Sequence, residues 1–226
     1  MKSKLCLPIK EKYLRDVFAM MADFESRVDL FEVWLDELEE LDLGQIFANK
    51  RKKILVVNKN ELEKGAWNGS EVSRIEILVQ AAFLGADYVD VGLHTEKELI
   101  SKVKNALTKG KLILSHHDFE RTPQLDELKK KYKKARSYGA DVFKCACLIE
   151  KDEDVFVLID LIKFLHKENF PAVILPMGER AKFWRLVFMK LGNEFNFVAA
   201  DEKRKTALGQ ISLDETENLG KEIFEW

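Results

Sequence analysis

The chain has 226 residues, 46% of them hydrophobic and 34% charged, with a formal net charge of -2. That length supports one sizeable core rather than two independent domains. Acids and bases are interspersed, which excludes the broad electropositive footprint of a nucleic-acid binder. The short basic runs at 50–53 and 129–134 read as solvated approaches to a strand or the wet side of a helix.

The apolar run Leu5–Ile9 predicts a first strand, and the helical spacing from Lys10 to Met20 a first helix. A second strand is expected over 24–28, then an acidic helix over 33–43, a strand over 53–58 and a helix over 70–84 whose start is marked by Asn68-Gly-Ser-Glu71. The alternation then repeats as strand 87–91, helix 96–107, strand 111–115, helix 123–138, strand 141–147 and helix 152–166. Strand 171–175, helix 179–191, strand 194–198 and helix 214–224 complete it. Gly85, Gly110 and Gly139 stand at helix-to-strand junctions, where helix ends favour glycine. Eight such units of about 28 residues describe a (β/α)8 TIM barrel, with 1–226 as a single compact domain. A doubly wound sheet would want Gly-x-Gly-x-x-Gly after the first strand, and the chain lacks it. The stretch 199–211 carries charges and then Thr206-Ala-Leu-Gly-Gln210, and it is expected to lie over the strand ends as a lid.

No window approaches 18 apolar residues and the N-terminus lacks a cleavable apolar leader, so neither membrane insertion nor secretion is expected. The three cysteines, Cys6, Cys145 and Cys147, fall in strand-like runs and read as reduced core residues of a cytoplasmic protein. The four histidines find no partners at ligand spacing, so no metal site is expected.

In a barrel, polar residues at the C-terminal strand ends converge on one mouth. Glu25 and Arg27, two apart on the expected second strand, share a face and either line that mouth or pair structurally within the barrel. Strand five ends in Ser115-His-His117. His117 shares the parity of Ile113 and Ser115 and looks inward, while His116 faces the helices. The next strand delivers Lys144, which either snorkels to solvent or condenses with a ketone. In the second case the iminium acidifies the neighbouring C–H and a histidine one strand away takes that proton, with aldol cleavage or loss of water as outcomes. Pro176–Arg180 and Arg185 offer a helix start and a guanidinium suited to a carboxylate.

With these residues in place the chain resembles type I 3-dehydroquinate dehydratase, a family of (β/α)8 Schiff-base enzymes. The anchors are Glu25-Ser-Arg27-Val-Asp29, Ser115-His-His117-Asp-Phe119-Glu-Arg-Thr-Pro123, Asp141-Val-Phe-Lys144, Met177-Gly-Glu-Arg-Ala-Lys-Phe-Trp-Arg185 and Ala207-Leu-Gly-Gln210-Ile-Ser212. The resemblance implies Lys144 as the imine-forming lysine, His117 as general base and acid, and Glu63 as the carboxylate that orients it. It further implies that Arg185 binds the substrate carboxylate, that Glu25, Arg27 and Gln210 contact ring hydroxyls or organise the mouth, and that Phe119 and Met177 pack on the ring. Basic groups near Lys144, Arg27 among them, are expected to keep its amine neutral. The implied reaction is syn elimination of water from 3-dehydroquinate to 3-dehydroshikimate, in the shikimate pathway, with no cofactor, no metal and a homodimer as the assembly. The chain departs from the family pattern in carrying Lys59 for an arginine, Glu63-Lys64-Gly65 for Glu-Gly-Gly, Gly92 for an acid that would balance interior cations, and Thr206 for the lid serine; the resemblance implies that Lys59 and Thr206 bind substrate. A class I aldolase-like lyase using the same lysine, or a weakly active or noncatalytic binding homologue, is the alternative reading.

Overall fold

A computed structural model describes residues 4–48 and 50–224. Within them the strands β1 (Leu5–Ile9), β2 (Leu30–Trp34), β3 (Lys53–Val57), β4 (Tyr88–Gly92), β5 (Lys111–Asp118), β6 (Val142–Leu148), β7 (Ala172–Met177) and β8 (Asn196–Phe197) alternate with helices. These are α1 (Leu14–Phe24), α2 (Leu43–Ala48), α3 (Glu71–Phe83), α4 (Lys97–Ala106), α5 (Leu125–Ser137), α6 (Asp152–Lys167), α7 (Ala181–Lys190) and α8 (Leu213–Phe224). Consecutive strands pair in parallel and β8 returns to β1. The remaining seam, between β7 and β8, is bridged by Asn193. Its Oδ1 accepts from Ile174 N at 2.9 Å and its Nδ2 donates to Ile174 O at 3.1 Å and to Asn196 Oδ1 at 2.9 Å, so a side-chain amide closes the seam together with the backbone bond from Glu194 N to Ala172 O at 2.8 Å. The result is the expected (β/α)8 barrel.

Strands covered on both faces read as apolar runs, and alternation assigns each residue a side. Inward-facing Cys6, Leu30, Leu55, Tyr88, Ile113, Val142, Val173 and Phe195 fill the barrel, while the opposite parity packs against the helices. Continuing along the inner face toward the C-terminal strand ends, the apolar plug gives way to buried Glu32, Asp90, Ser115 and Lys144. The three cysteines are free and buried. No described helix is long and apolar enough to cross a membrane.

The opposite rim is pinned by aspartates that immediately precede strands. Asp29, Asp87 and Asp141 each accept a backbone N–H from the start of the preceding strand, from Leu5, Ile54 and Leu112, all at 2.8 Å. Asp87→Ala should therefore cost about 1–2 kcal/mol, read as a lower urea midpoint with unchanged slope. A midpoint equal to wild type would show that the contact sets no register.

One stretch departs from expectation. The residues 24–28 are the end of α1 and its exit turn, and β2 begins at Leu30; the expected acidic helix 33–43 is the end of β2 and a single helical turn, Leu35–Glu37. Burial explains the shift. Of 24–28 only Val28 is buried, whereas every residue of Leu30–Trp34 is.

Candidate active site

Lys144 lies on the inner face of β6, 4% exposed, in register with Ser115 of β5. Its Nζ donates to Asp90 Oδ2 at 2.7 Å and to Glu32 Oε1 at 3.4 Å, and sits 4.5 Å from the Phe197 ring centroid. Burial pulls the ammonium's pKa down, but the carboxylates of Asp90 and then Glu32 outweigh it and the net direction is upward. The resting amine is therefore protonated between two carboxylates, which corrects the expectation that basic neighbours keep it neutral. Glu32 is itself oriented by Trp34, whose Nε1 donates to Glu32 Oε2 at 2.8 Å.

His117 is one inward position beyond Ser115, and its Nδ1 lies 3.5 Å from Glu63 Oε1. Glu63 comes from the loop after β3, whose shape brings its own ends together. Glu63 N and Gly65 N both donate to Asn60 O, and Asp36 accepts from Lys59 N at 2.8 Å and Ala66 N at 2.9 Å. A Cβ at Gly65 would run into the Lys59 backbone, so only glycine allows the loop to close this tightly. Lys59 Nζ consequently donates to Glu63 Oε1 at 3.2 Å with both side chains 5% exposed. Burial pushes the Glu63 carboxyl up, but Lys59 and His117 more than reverse this and hold it well below the usual carboxylate range. For His117, burial and then Lys59 lower the pKa to about 4, against the opposing pull of Glu63. The imidazole is thus neutral at pH 7. With Nδ1 turned to a carboxylate, Nε2 is the nitrogen left to take a proton.

These groups border one cavity of about 600 Å³, whose wall includes Lys59, Glu63, His117, Lys144 and Arg185. Arg185 projects from α7, 5% exposed, and its Nε donates to Pro176 O at 3.0 Å. Among the described residues no carboxylate is paired with it, and burial alone pulls its pKa down to about 10, so it is charged at neutral pH. Phe119 stacks on His117 with ring centroids 5.7 Å apart, and Met177 faces the same cavity. From the 199–211 stretch, Thr206 and Gln210 reach the cavity wall. Gln210 Oε1 accepts from Thr206 N at 2.7 Å and from Thr206 Oγ1 at 3.2 Å. Gly209 crosses over Gly178 with φ 77°, where a side chain would meet the Gly178 carbonyl.

Lys144, His117, Glu63, Lys59, Phe119, Met177, Arg185, Thr206 and Gln210 are thus brought together. Glu25 and Arg27 are not. Arg27 donates to Asp214 at 2.6 Å and Glu217 at 2.8 Å on α8, and Glu25 lies 3.4 Å from Arg51 in a groove beside α1. Both precede β2 and therefore stand at the N-terminal rim, away from the mouth. The acid and aspartate spacing of Glu25…Asp29 recurs seven residues later as Glu32-Val-Trp34-Leu-Asp36, and this second copy occupies the strand end. Sequence reasoning missed Glu32, Trp34, Asp36, Lys64 and Asp90. An acid inside an apolar strand, as in Leu-Phe-Glu32-Val-Trp34 or Tyr-Val-Asp90-Val, was the available signal.

Comparison with known proteins bears on the same residues. The sequence model of the family described as type I 3-dehydroquinase matches residues 5–224. The 3-dehydroquinate dehydratase of Methanothermobacter thermautotrophicus is 30% identical over 228 residues, covering 99% of either chain. That of Methanocaldococcus jannaschii is 28% identical, covering 93% of this chain and 94% of the other. Among solved structures, 3-dehydroquinate dehydratase from Geobacillus kaustophilus superposes with a TM-score of 0.87 at 22% identity, covering 100% of this chain and 93% of that one.

Proposed function

The chain belongs to the type I 3-dehydroquinase family, and from that premise we propose how its mouth carries out the elimination of water from 3-dehydroquinate, giving 3-dehydroshikimate in the shikimate pathway. The observation that carries the assignment is the meeting of Lys144 and His117 on one cavity with a buried Arg185 that no carboxylate among the described residues pairs.

Arg185 takes the substrate carboxylate and sets which face of the ring meets His117. Lys144 must shed a proton before it attacks, and the carboxylates of Asp90 and Glu32 are within reach to receive it. Nζ then adds to the ketone carbon, water leaves, and the iminium replaces the ammonium between the same two carboxylates, which are already placed for that positive charge. His117 Nε2 removes the proton from the adjacent carbon, and the electron pair moves toward the iminium nitrogen. Its return expels the hydroxyl, which His117 protonates on the same face, as a syn elimination requires. Hydrolysis of the conjugated imine releases product and restores Lys144. The covalent lysine supplies the electron sink, so the reaction is written without a cofactor.

The same proposal makes the 199–211 segment, which places Thr206 and Gln210 on the cavity wall, the loop that closes over substrate. It also makes the enzyme a cytoplasmic homodimer, to which three unbridged thiols are suited by a reducing compartment.

Growth of ultraviolet absorbance from the conjugated product tests the assignment; an enzyme that binds 3-dehydroquinate and produces none is a binding protein instead. Arg185→Ala should lower kcat/KM by about 30-fold or more, the effect of losing a charge-assisted contact of about 2 kcal/mol or greater. Equal kcat/KM in the variant would remove Arg185 from substrate binding.

A further inference from the structure

Glu32 is one of the two carboxylates that meet Lys144, and its contact is the looser one, 3.4 Å against 2.7 Å for Asp90. Its other oxygen, Oε2, accepts a hydrogen bond of 2.8 Å from Trp34 Nε1. Glu32 and Trp34 are two residues apart on β2 and share its inner face, so the carboxylate and its donor come from one strand. Both are buried and border the same cavity as Lys144.

The indole is itself held in place. Lys10 Nζ, from the residue after β1, lies 4.7 Å from the ring centroid and is fixed by Glu37 at 2.9 Å. Lys59 Nζ, from the loop after β3, lies 5.8 Å from the same centroid. Ammonium groups are attracted to an aromatic face, so the ends of the two strands that flank β2 both grip the ring. The charge of the donor matters as much as its place. Glu32-Val-Trp34-Leu-Asp36 has the spacing of Glu25-Ser-Arg27-Val-Asp29 with tryptophan where arginine stands. A guanidinium at 34 would pair with Glu32 and compete with Lys144 for its charge, whereas an indole N–H orients the carboxylate and leaves that charge to the amine.

We infer that Trp34 is a positioning residue for imine formation: its Nε1–H locks Glu32 so that Oε1 stays on Lys144 as a counter-charge of the iminium. The inference deepens the dehydratase reading and rests on it only in that Lys144 is the imine-forming lysine. Without the indole donor, Oε2 is a buried oxygen that has lost its partner, and Glu32 turns toward the solvent of the cavity it borders.

Trp34→Phe and Trp34→His separate the N–H from the ring. Phenylalanine keeps an aromatic face for Lys10 and Lys59 and removes the donor. Histidine gives up the six-membered ring and keeps a ring nitrogen at the reach of Nε1. Rapid mixing with 3-dehydroquinate at about pH 8, where an ordinary imidazole is neutral, followed by borohydride and intact-protein mass, times the appearance of the reduced adduct. Trp34→Phe should form it about tenfold more slowly than wild type, the effect of losing a hydrogen bond to a charged group. Trp34→His should recover most of that rate despite its smaller ring. A phenylalanine variant as fast as wild type would overturn the inference. So would a histidine variant slower than phenylalanine, which would make the bulk of the ring the whole of its contribution. The same order of adduct rates in a protein that releases no 3-dehydroshikimate would contradict the functional reading and leave this one standing.

Discussion

Lys144→Ala is expected to lower kcat on 3-dehydroquinate by on the order of 10⁴-fold or more, because removing the residue on which a chemical unit depends costs nearly as much as removing the unit. That is a barrier increase of about 5 kcal/mol. Without Nζ the ketone remains a poor electron sink and the adjacent C–H stays weakly acidic. Asp90 and Glu32, deprived of the cation that now lies between them, would face one another as two buried acids, with Lys59 the remaining lysine that acts on Asp90. The loss should therefore appear in kcat while substrate affinity is retained through Arg185. A variant that keeps kcat within tenfold of wild type (about 1.4 kcal/mol) would mean that the elimination does not pass through an imine on this lysine.

His117→Ala separates the two halves of the reaction. The imine forms at Lys144 and its carboxylates, which do not depend on the imidazole. Proton removal and protonation of the leaving hydroxyl do depend on it, and kcat should fall by about 10²–10⁴-fold, the range for a general acid–base group. The variant should thus accumulate the covalent complex and release almost no product. The pH dependence carries the same sign. Because His117 is pulled down to about 4, it is a competent base above that pH, and its contribution to kcat/KM is lost as pH falls through that value. Full turnover by the alanine variant would move the proton transfer to another residue.

Much of this architecture was legible in the chain. Two of the helix-to-strand junctions carry their own punctuation, in the glycines at 85 and 139 and in the aspartates at 87 and 141 that immediately precede the following strands. Parity along β5 and β6 was enough to turn His117 and Lys144 to the same interior. The second unit failed because the two-residue spacing of Glu25 and Arg27 mimics one face of a strand, although the apolar run is Leu-Phe-Glu32-Val-Trp34. What decides between them is burial and a pair of contacts from Arg27 to α8, 187 and 190 residues away. The electrostatics of Lys144 were hidden for a similar reason. Its counter-charges come from β4 and β2, 54 and 112 residues away, and only barrel closure brings them to one amine. Local sequence reports which residues share a face of a strand; it does not report which acids from other strands surround a cation.

That difference alters the mechanism. An amine kept neutral by neighbouring cations would attack freely but leave its iminium poorly stabilised. An amine held as an ammonium by Asp90 and Glu32 must first give up a proton, and in exchange the iminium forms where negative charge is already fixed. Gly92 fits the same arrangement, since the acid that the family pattern places there is absent while Asp90, two residues earlier on the same inner face, is buried against Lys144.

The central claim is a covalent bond between substrate and one lysine. Borohydride added to wild-type protein during turnover of 3-dehydroquinate, followed by peptide mass analysis, should place a reduced adduct on Lys144, and Lys144→Ala should yield no adduct. An adduct on Lys59 or Lys64, the other lysines on the cavity wall, or sustained turnover with no trapped protein, would contradict it.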